Sequence, residues 1–318
     1  MLSHYQGGDD RYSMLQMTST LFLYIVLWVL MVLSLQVSYL LTLALSIIAA
    51  SFLVRIFIFF HDCGHNSFFS SIKANRIAGF FLGVLVFTPS LQWWHSHAIH
   101  HASSGKLDKR GIGDVDTMTV SEFRNSTSFK RAWYRFFRHP FTLLVLGPFF
   151  SFIIIQRLPL PHFGKKENLN VLWTNLAILA LAAGISLVIG FKAYLMIQIP
   201  VMVLAGAAGI WLFYVQHQFA GVYWARKKDW NYVSSALLGA SYYNLPGVLQ
   251  YISGSIGFHQ IHHLSPRIPN YKLAAAYRNN PVIQQWTQSI GLGESLQFIN
   301  LKLWDEDNRQ LIGFNNLR

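Results

Sequence analysis

Residues 12–54 read YSMLQMTSTLFLYIVLWVLMVLSLQVSYLLTLALSIIAASFLV, 43 positions without a single Asp, Glu, Lys or Arg. As one helix the run would extend roughly 64 Å at 1.5 Å per residue. The hydrocarbon layer of a bilayer is only about 30 Å thick. A single crossing would leave half the run without lipid, so the stretch predicts two crossings. The turn falls near Gln36–Tyr39, with an exit into Arg55–Phe60. Two more uncharged runs, Asn168–Phe191 and Ala193–Ala225, have only Lys192 between them. They predict a second tight hairpin.

Composition agrees with this reading. The chain has 318 residues, 53% hydrophobic and 12% charged, and a mean hydropathy of +0.34. Soluble domains carry about 25% charged residues, so this chain has roughly half the complement needed to cover a water-facing surface. A soluble enzyme, a disordered protein and a secreted disulfide scaffold are all excluded. Cys63 is the one cysteine and permits no internal disulfide. No cleavable signal peptide is expected, because the first apolar run is too long and lacks a basic flank.

Two shorter apolar runs remain. Ile77–Pro89 has 13 residues, the length of an interfacial or re-entrant segment, not of a span. Phe141–Ile155 has 15, with Gly147–Pro148 placed to kink it. The expected fold is therefore an all-α membrane protein. Four transmembrane helices form two hairpins (about 18–36, 39–60, 170–191 and 194–215), accompanied by two interfacial or re-entrant segments. Residues 61–168 and 216–318 make a cap, and the whole of 1–318 is read as one domain. Net charge is +12, and Lys106, Lys109, Arg110, Arg124, Lys130, Arg131, Arg135 and Arg138 crowd one loop. In an apolar chain such a balance marks loops facing anionic lipid, not nucleic acid. By the positive-inside rule the cap and both termini are cytoplasmic in the cell membrane.

Thirteen histidines carry the chemical signal. HDCGH places His61 and His65 four apart. HSHAIHH holds His95, His97, His100 and His101, and HQIHH holds His259, His262 and His263. His217 stands alone in YVQHQF. Spacings of three and four share a helical face. His61 can therefore meet His65, His97 can meet His100 or His101, and His259 can meet His262 or His263. Nine imidazoles exceed the needs of one tetrahedral zinc and suit two metal ions with four or five nitrogens each. To share a centre, the first two groups must lie on one side of the membrane. An even number of crossings must then separate them, so neither Ile77–Pro89 nor Phe141–Ile155 can be a lone span.

HDCGHNSFF, LQWWHSHAIHHASSGKLDKRGIGD, GIWLFYVQHQF, IGFHQIHHLSPRIPNYKL and LWDEDN together resemble the membrane-bound acyl-lipid fatty acid desaturases, most closely the bacterial delta-5 phospholipid desaturases. The resemblance implies two irons held by His61, His65, His97, His100, His101, His217, His259, His262 and His263. It also implies dioxygen as co-substrate, phospholipid acyl chains as substrate, and ferredoxin or flavodoxin as electron donor. One departure is Ala220, where relatives commonly carry an acidic residue after HQF.

The chemistry points the same way. Unactivated methylene C–H bonds lie beyond any side-chain base and require an oxidant. Zinc has no redox chemistry, so the functional metal is expected to be iron. No nucleotide-binding glycine motif or haem domain is visible, so electrons come from outside, and the basic loop Lys106–Arg138 suits an acidic donor. His95 and Asp114 are candidates for an outer layer around the ligands. His4, His139 and His162 read as isolated loop residues. Asp62 is expected to point away from the ligands, toward an ion pair or solvent, and Cys63 to fill a helix face. Asp108, Asp114 and Asp116 follow the second box, where one of them can receive an imidazole N–H. Trp93, Trp94, Trp224 and Trp230 are expected to line an acyl channel or anchor at the interface. A di-iron hydroxylase would use a similar histidine set and differ only in product. A zinc transporter or peptidase would show ionisable groups at mid-membrane or an H-E-x-x-H pair.

Overall fold

The computed structural model describes residues 2–161 and 163–317. His162 therefore lies outside the described residues. Four helices are long and apolar enough to cross a membrane: α1 (Asp10–Ser34), α2 (Tyr39–Gly64), α8 (Lys165–Ile189) and α9 (Phe191–His217). They form the two hairpins expected. The Asp9 carboxylate caps α1 by accepting the N–H groups of Arg11 and Tyr12, each at 3.0 Å. The second hairpin turns at Gly190, whose φ of +86° suits a residue without a Cβ. Lys192 already sits in the first turn of α9.

These helices outrun the expected spans. Hydropathy marks where lipid touches a helix, whereas capping and tertiary packing decide where it ends. Thus α2 continues through His61, and α9 continues to His217. Arg55 is no exit residue. It is 6% exposed inside α2, where it donates to Thr20 Oγ1, Gln16 Oε1 (both 3.2 Å) and the Tyr251 carbonyl.

The two shorter apolar runs are bent. Helices α3 (Ile72–Leu85) and α4 (Ser90–Ser103) meet at 102° across the turn that holds Phe87 at φ +54°. After α5 (Val120–Arg124) and α6 (Ser128–Phe137), segment Thr142–Arg157 turns by 63°. Within it a single α-turn, α7 (Gly147–Phe149), lies between the π-helical turns Thr142–Leu146 and Phe150–Ile154. Gly206 of α9 lets Pro148 and Phe152 approach so closely that a Cβ there would sit 2.7 Å from Pro148.

The remainder caps one end of the bundle: α10 (Tyr232–Leu238), α11 (Gly247–Ile252), α12 (His259–Leu264) and α13 (Asn270–Arg278). Two small strand pairs complete it. Strands β1 (Tyr242–Asn244) and β2 (Ser289–Gly291) run parallel, and β3 (Leu303–Asp305) and β4 (Gln310–Ile312) run antiparallel. The main apolar core joins α1, α2 and α9 through residues such as Met31, Leu53, Phe60 and Val201.

Candidate metal centre

All three histidine groups and His217 meet at the cap end of the bundle. They sort into two nests: His61, His65, His97, His101 and His262 in one, and His100, His217, His259 and His263 in the other. Within each nest the ring nitrogens lie within 4.8 Å of one another. The i, i+4 pairs stay together, with His97 Nε2 3.0 Å from His101 Nε2 and His259 Nε2 3.1 Å from His263 Nε2. The odd member of the second and of the third box crosses over. His262 Nε2 reaches His101 Nε2 at 2.9 Å, and His100 Nε2 faces His263 Nε2 at 3.3 Å. His217 Nε2 lies 2.9 Å from His259 Nε2. The stacked rings of His101 and His263, centroids 4.3 Å apart, join the nests.

The outer nitrogens explain why the inner ones converge. His61 Nδ1 donates to Asp62 Oδ1 at 3.0 Å, His100 Nδ1 to Asp114 Oδ1 at 2.5 Å, and His217 Nδ1 to the Gly239 carbonyl at 3.1 Å. A proton on Nδ1 leaves Nε2 with a bare lone pair. Several such lone pairs aimed at one point about 3 Å apart repel unless a cation lies among them. Metal–imidazole bonds of about 2.0–2.1 Å place neighbouring nitrogens roughly 2.8–3.4 Å apart in octahedral to tetrahedral geometry. The observed spacings fit that requirement. His65 Nε2 is buried without a hydrogen-bond partner, as a ligand nitrogen would be before a metal is added.

Protonation state fits too. Burial first, and then neighbouring imidazoles, push His259, His262 and His263 well below the ordinary histidine range. Neutral imidazole is the form that binds metal. An all-nitrogen donor set favours iron, copper, nickel or zinc over magnesium or calcium.

A cavity of about 260 Å³ leads to the nests. It runs from Leu53 and Met202, deep in the helices, past Phe57, Phe152 and Ile210, and ends on His61, His97 and His259. Both nests thus present an imidazole to one apolar slot.

The fatty acid desaturase family model matches residues 37–285. A fatty acid desaturase of Bacillus subtilis (strain 168) is 46% identical over 310 residues, covering 98% of this chain and 88% of that protein. This chain belongs to the fatty acid desaturase family. Its members are oxidoreductases, and the fold and clusters described above are those of a membrane acyl-lipid desaturase. The "sn-2 acyl-lipid omega-3 desaturase (ferredoxin), chloroplastic" of Arabidopsis thaliana is 30% identical over 242 residues, 70% of this chain and 51% of that protein. The "sn-1 acyl-lipid omega-3 desaturase (ferredoxin)" of Synechocystis is 27% identical over 237 residues, 70% of this chain and 62% of that protein. The chain spans between half and two thirds of these last two relatives.

Within this desaturase, Asp114 is placed as expected, against His100. His95 is not. It points outward, 3.1 Å from Glu167 Oε1, and touches neither nest. The expectation for Asp62 fails in the opposite sense. Its carboxylate is 1% exposed, with Oδ1 on His61 Nδ1 and Oδ2 accepting the Asn270 N–H at 2.7 Å. Adjacent helical residues normally face apart. Here α2 ends two residues later, and α13 supplies a second donor that turns the carboxylate inward.

Asp108 instead binds Arg226 at 2.9 Å and the Lys227 N–H at 2.6 Å. Cys63 is buried beside Gly79 and Trp94, as a helix-face filler. Of the tryptophans, Trp93 lines the cavity. Trp94 Nε1 donates to the Phe60 carbonyl, Trp230 Nε1 donates to the Ser104 carbonyl, and Trp224 packs on Trp304. Ala220 is exposed, and its carbonyl accepts from Gln288 Nε2 at 2.8 Å, away from the nests.

Proposed function

We propose that the nine clustered histidines hold two iron ions and that the enzyme inserts a cis double bond into acyl chains of intact membrane phospholipids. The observation that carries this reading is the apolar cavity that ends on His61, His97 and His259. Its lining suits a hydrocarbon chain that enters from the bilayer. Iron bound there would supply the oxidant that an unactivated C–H bond needs, using dioxygen and two external electrons. The protein's part is to align the chain, exclude water through Phe57, Phe152 and Ile210, and hold the His61, His100 and His217 rings by their outer nitrogens.

The finer assignments belong to the same proposal. The motif resemblance favours delta-5 insertion, and kinked products would keep the bilayer fluid in the cold. Two relatives carry ferredoxin in their names. Ferredoxin or flavodoxin is therefore the proposed donor, docking on exposed basic residues of the cap. Residues 1–318 are proposed to act as one domain in the cell membrane, with the nests and both termini cytoplasmic, a reading the basic loops support.

The test is lipid analysis of a desaturase-free bacterium expressing the chain, with dimethyl disulfide adducts to locate new double bonds. Fatty-acid synthesis is blocked before a temperature drop. New delta-5 double bonds in pre-existing phospholipids are expected. Hydroxylated chains would make the enzyme a hydroxylase. A product that vanishes with synthesis blocked would move the substrate to thioesters. Active protein holding zinc and no iron would defeat the metal assignment.

A further inference from the structure

Helix α6 has the sequence SFKRAWYRFF. Phe129, Trp133, Phe136 and Phe137 are 80%, 59%, 49% and 40% exposed. Their spacing of i, i+4, i+7 and i+8 makes one continuous aromatic stripe. The opposite face is fastened to the protein. Tyr134 Oη receives the Met118 N–H at 3.1 Å and donates to the Lys302 carbonyl at 2.5 Å. Arg138, just beyond the helix, is fully buried and donates to the Asp116 and Leu301 carbonyls at 3.0 and 2.9 Å. The aromatic stripe therefore faces outward, with Trp133 and Phe137 also bordering a hollow shared with Met118 and Glu122.

Such a stripe would be a liability in water. Three features supply its partner. Lys130 borders it and meets no carboxylate among the described residues, whereas Arg131 on the far face donates to the Arg124 and Ser126 carbonyls and Arg135 lies over the Phe123 and Phe314 rings. From Phe123 to Gly164 the chain contains no Asp or Glu. Finally, α6 leads into segment Thr142–Arg157, where the exposed Phe141, Val145, Phe150 and Ile154 continue the apolar surface. That segment packs on the spanning helix α9 at Gly206, and α6 makes an angle of 63° with it.

We infer that α6 lies in the headgroup layer of the bilayer, its aromatic stripe sunk at the acyl boundary and Lys130 beside it on anionic phospholipid headgroups. An amphipathic helix with Trp and Phe on one face and Lys or Arg beside it seats in that way. An acidic protein docked on the same face would leave four aromatic rings at the centre of its interface unmatched by charge. The inference takes α6 out of the basic surface offered to an electron donor and leaves Lys109, Lys227 and Lys228, all exposed. It also ties the membrane surface to the site. The carbonyl that Arg138 holds belongs to Asp116, two residues from the Asp114 that orients His100.

The test uses the full chain in lipid nanodiscs. Phe129→Cys and Trp133→Cys are labelled with a nitroxide, and Asn308→Cys in the exposed β3–β4 turn is the aqueous reference. Native Cys63 is buried, so background labelling is low. Collision rates with oxygen and with a water-soluble nickel chelate are compared in discs of 30% phosphatidylglycerol in phosphatidylcholine and in phosphatidylcholine alone. The oxygen-to-nickel ratio at 129 and 133 should exceed that at 308 several-fold in the anionic discs and fall in the neutral ones. Equal ratios at all three sites would overturn the seating. Equal values in the two lipids would overturn the role of Lys130. Protection that appears only when an acidic ferredoxin is added would reassign the stripe to a protein partner.

Discussion

Replacing Asp62 should damage the metal site through His61 without touching a metal-facing nitrogen. Its carboxylate makes two buried bonds, one to His61 Nδ1 at 3.0 Å and one to the Asn270 N–H at 2.7 Å. Hydrogen bonds to a charged group contribute about 1.5–3 kcal/mol each, so Asp62→Ala removes about 3–6 kcal/mol and leaves the buried Asn270 N–H without an acceptor. Asp62→Asn keeps one accepting oxygen but turns an NH₂ toward the other donor, so about half of that loss is expected. Freed of its outer acceptor, the His61 ring can rotate or change tautomer. Loss of such a partner typically weakens metal binding 10–100-fold. The assay is iron retained per chain after dialysis against a graded chelator, read beside the melting temperature in detergent. Asp62→Ala should lose iron at 10–100-fold lower chelator than the parent and melt lower, with Asp62→Asn between the two. A variant that melts low but keeps its iron would refute the orienting role. One that does neither would refute the reading of both bonds.

Three further outcomes follow from the geometry. Gly209 lines the cavity and a Cβ there meets nothing within 4 Å, so Gly209→Leu should fill the slot and cut desaturation at least tenfold with iron content and melting unchanged. Lys302 is buried, its Nζ on the Arg138 carbonyl at 2.5 Å, and burial followed by the Arg138 charge lowers its pKa from 10.5 to about 8. The fold thus favours the neutral amine, a contribution complete above about pH 10.5 and lost as pH falls to about 8. The melting temperature of the parent relative to Lys302→Met should therefore rise between pH 8 and 10; a flat or falling difference would defeat this. His262→Ala should abolish new double bonds while His95→Ala, on the exposed Glu167 contact, leaves them, as lipid analysis of expressing cells would show.

The membrane architecture was legible because lipid imposes a long uncharged signal, and both hairpins follow from it. The histidine boxes were legible as i, i+4 pairs for the same local reason. Which imidazole joins which nest was not, because His100 and His262 follow tertiary crossings of α4, α9 and α12 that leave no mark in spacing. Asp62 was hidden by its position next to a ligand, and only the end of α2 and the arrival of Asn270 explain its direction. The inward Arg138 was likewise hidden within a run of basic residues that otherwise face outward.

The same structure shows how the scarce acids are distributed. Arg55, Arg138 and Arg157 are each held by carbonyl, amide or hydroxyl oxygens and meet no carboxylate among the described residues. Asp62 and Asp114 instead face His61 and His100, one ligand candidate in each nest. A guanidinium spreads its charge over five donors and tolerates neutral acceptors. Two divalent ions held in the nests would have no such means of relief. Nine neutral imidazoles would leave their charge wholly uncompensated in an apolar pocket. One carboxylate behind each nest lowers that cost without occupying a coordination position, and it fixes the ring that the charge acts through. The burial of Asp62 and the short contact of Asp114 therefore belong to one electrostatic solution, in which the ligands stay neutral and exchange of charge with solvent is avoided.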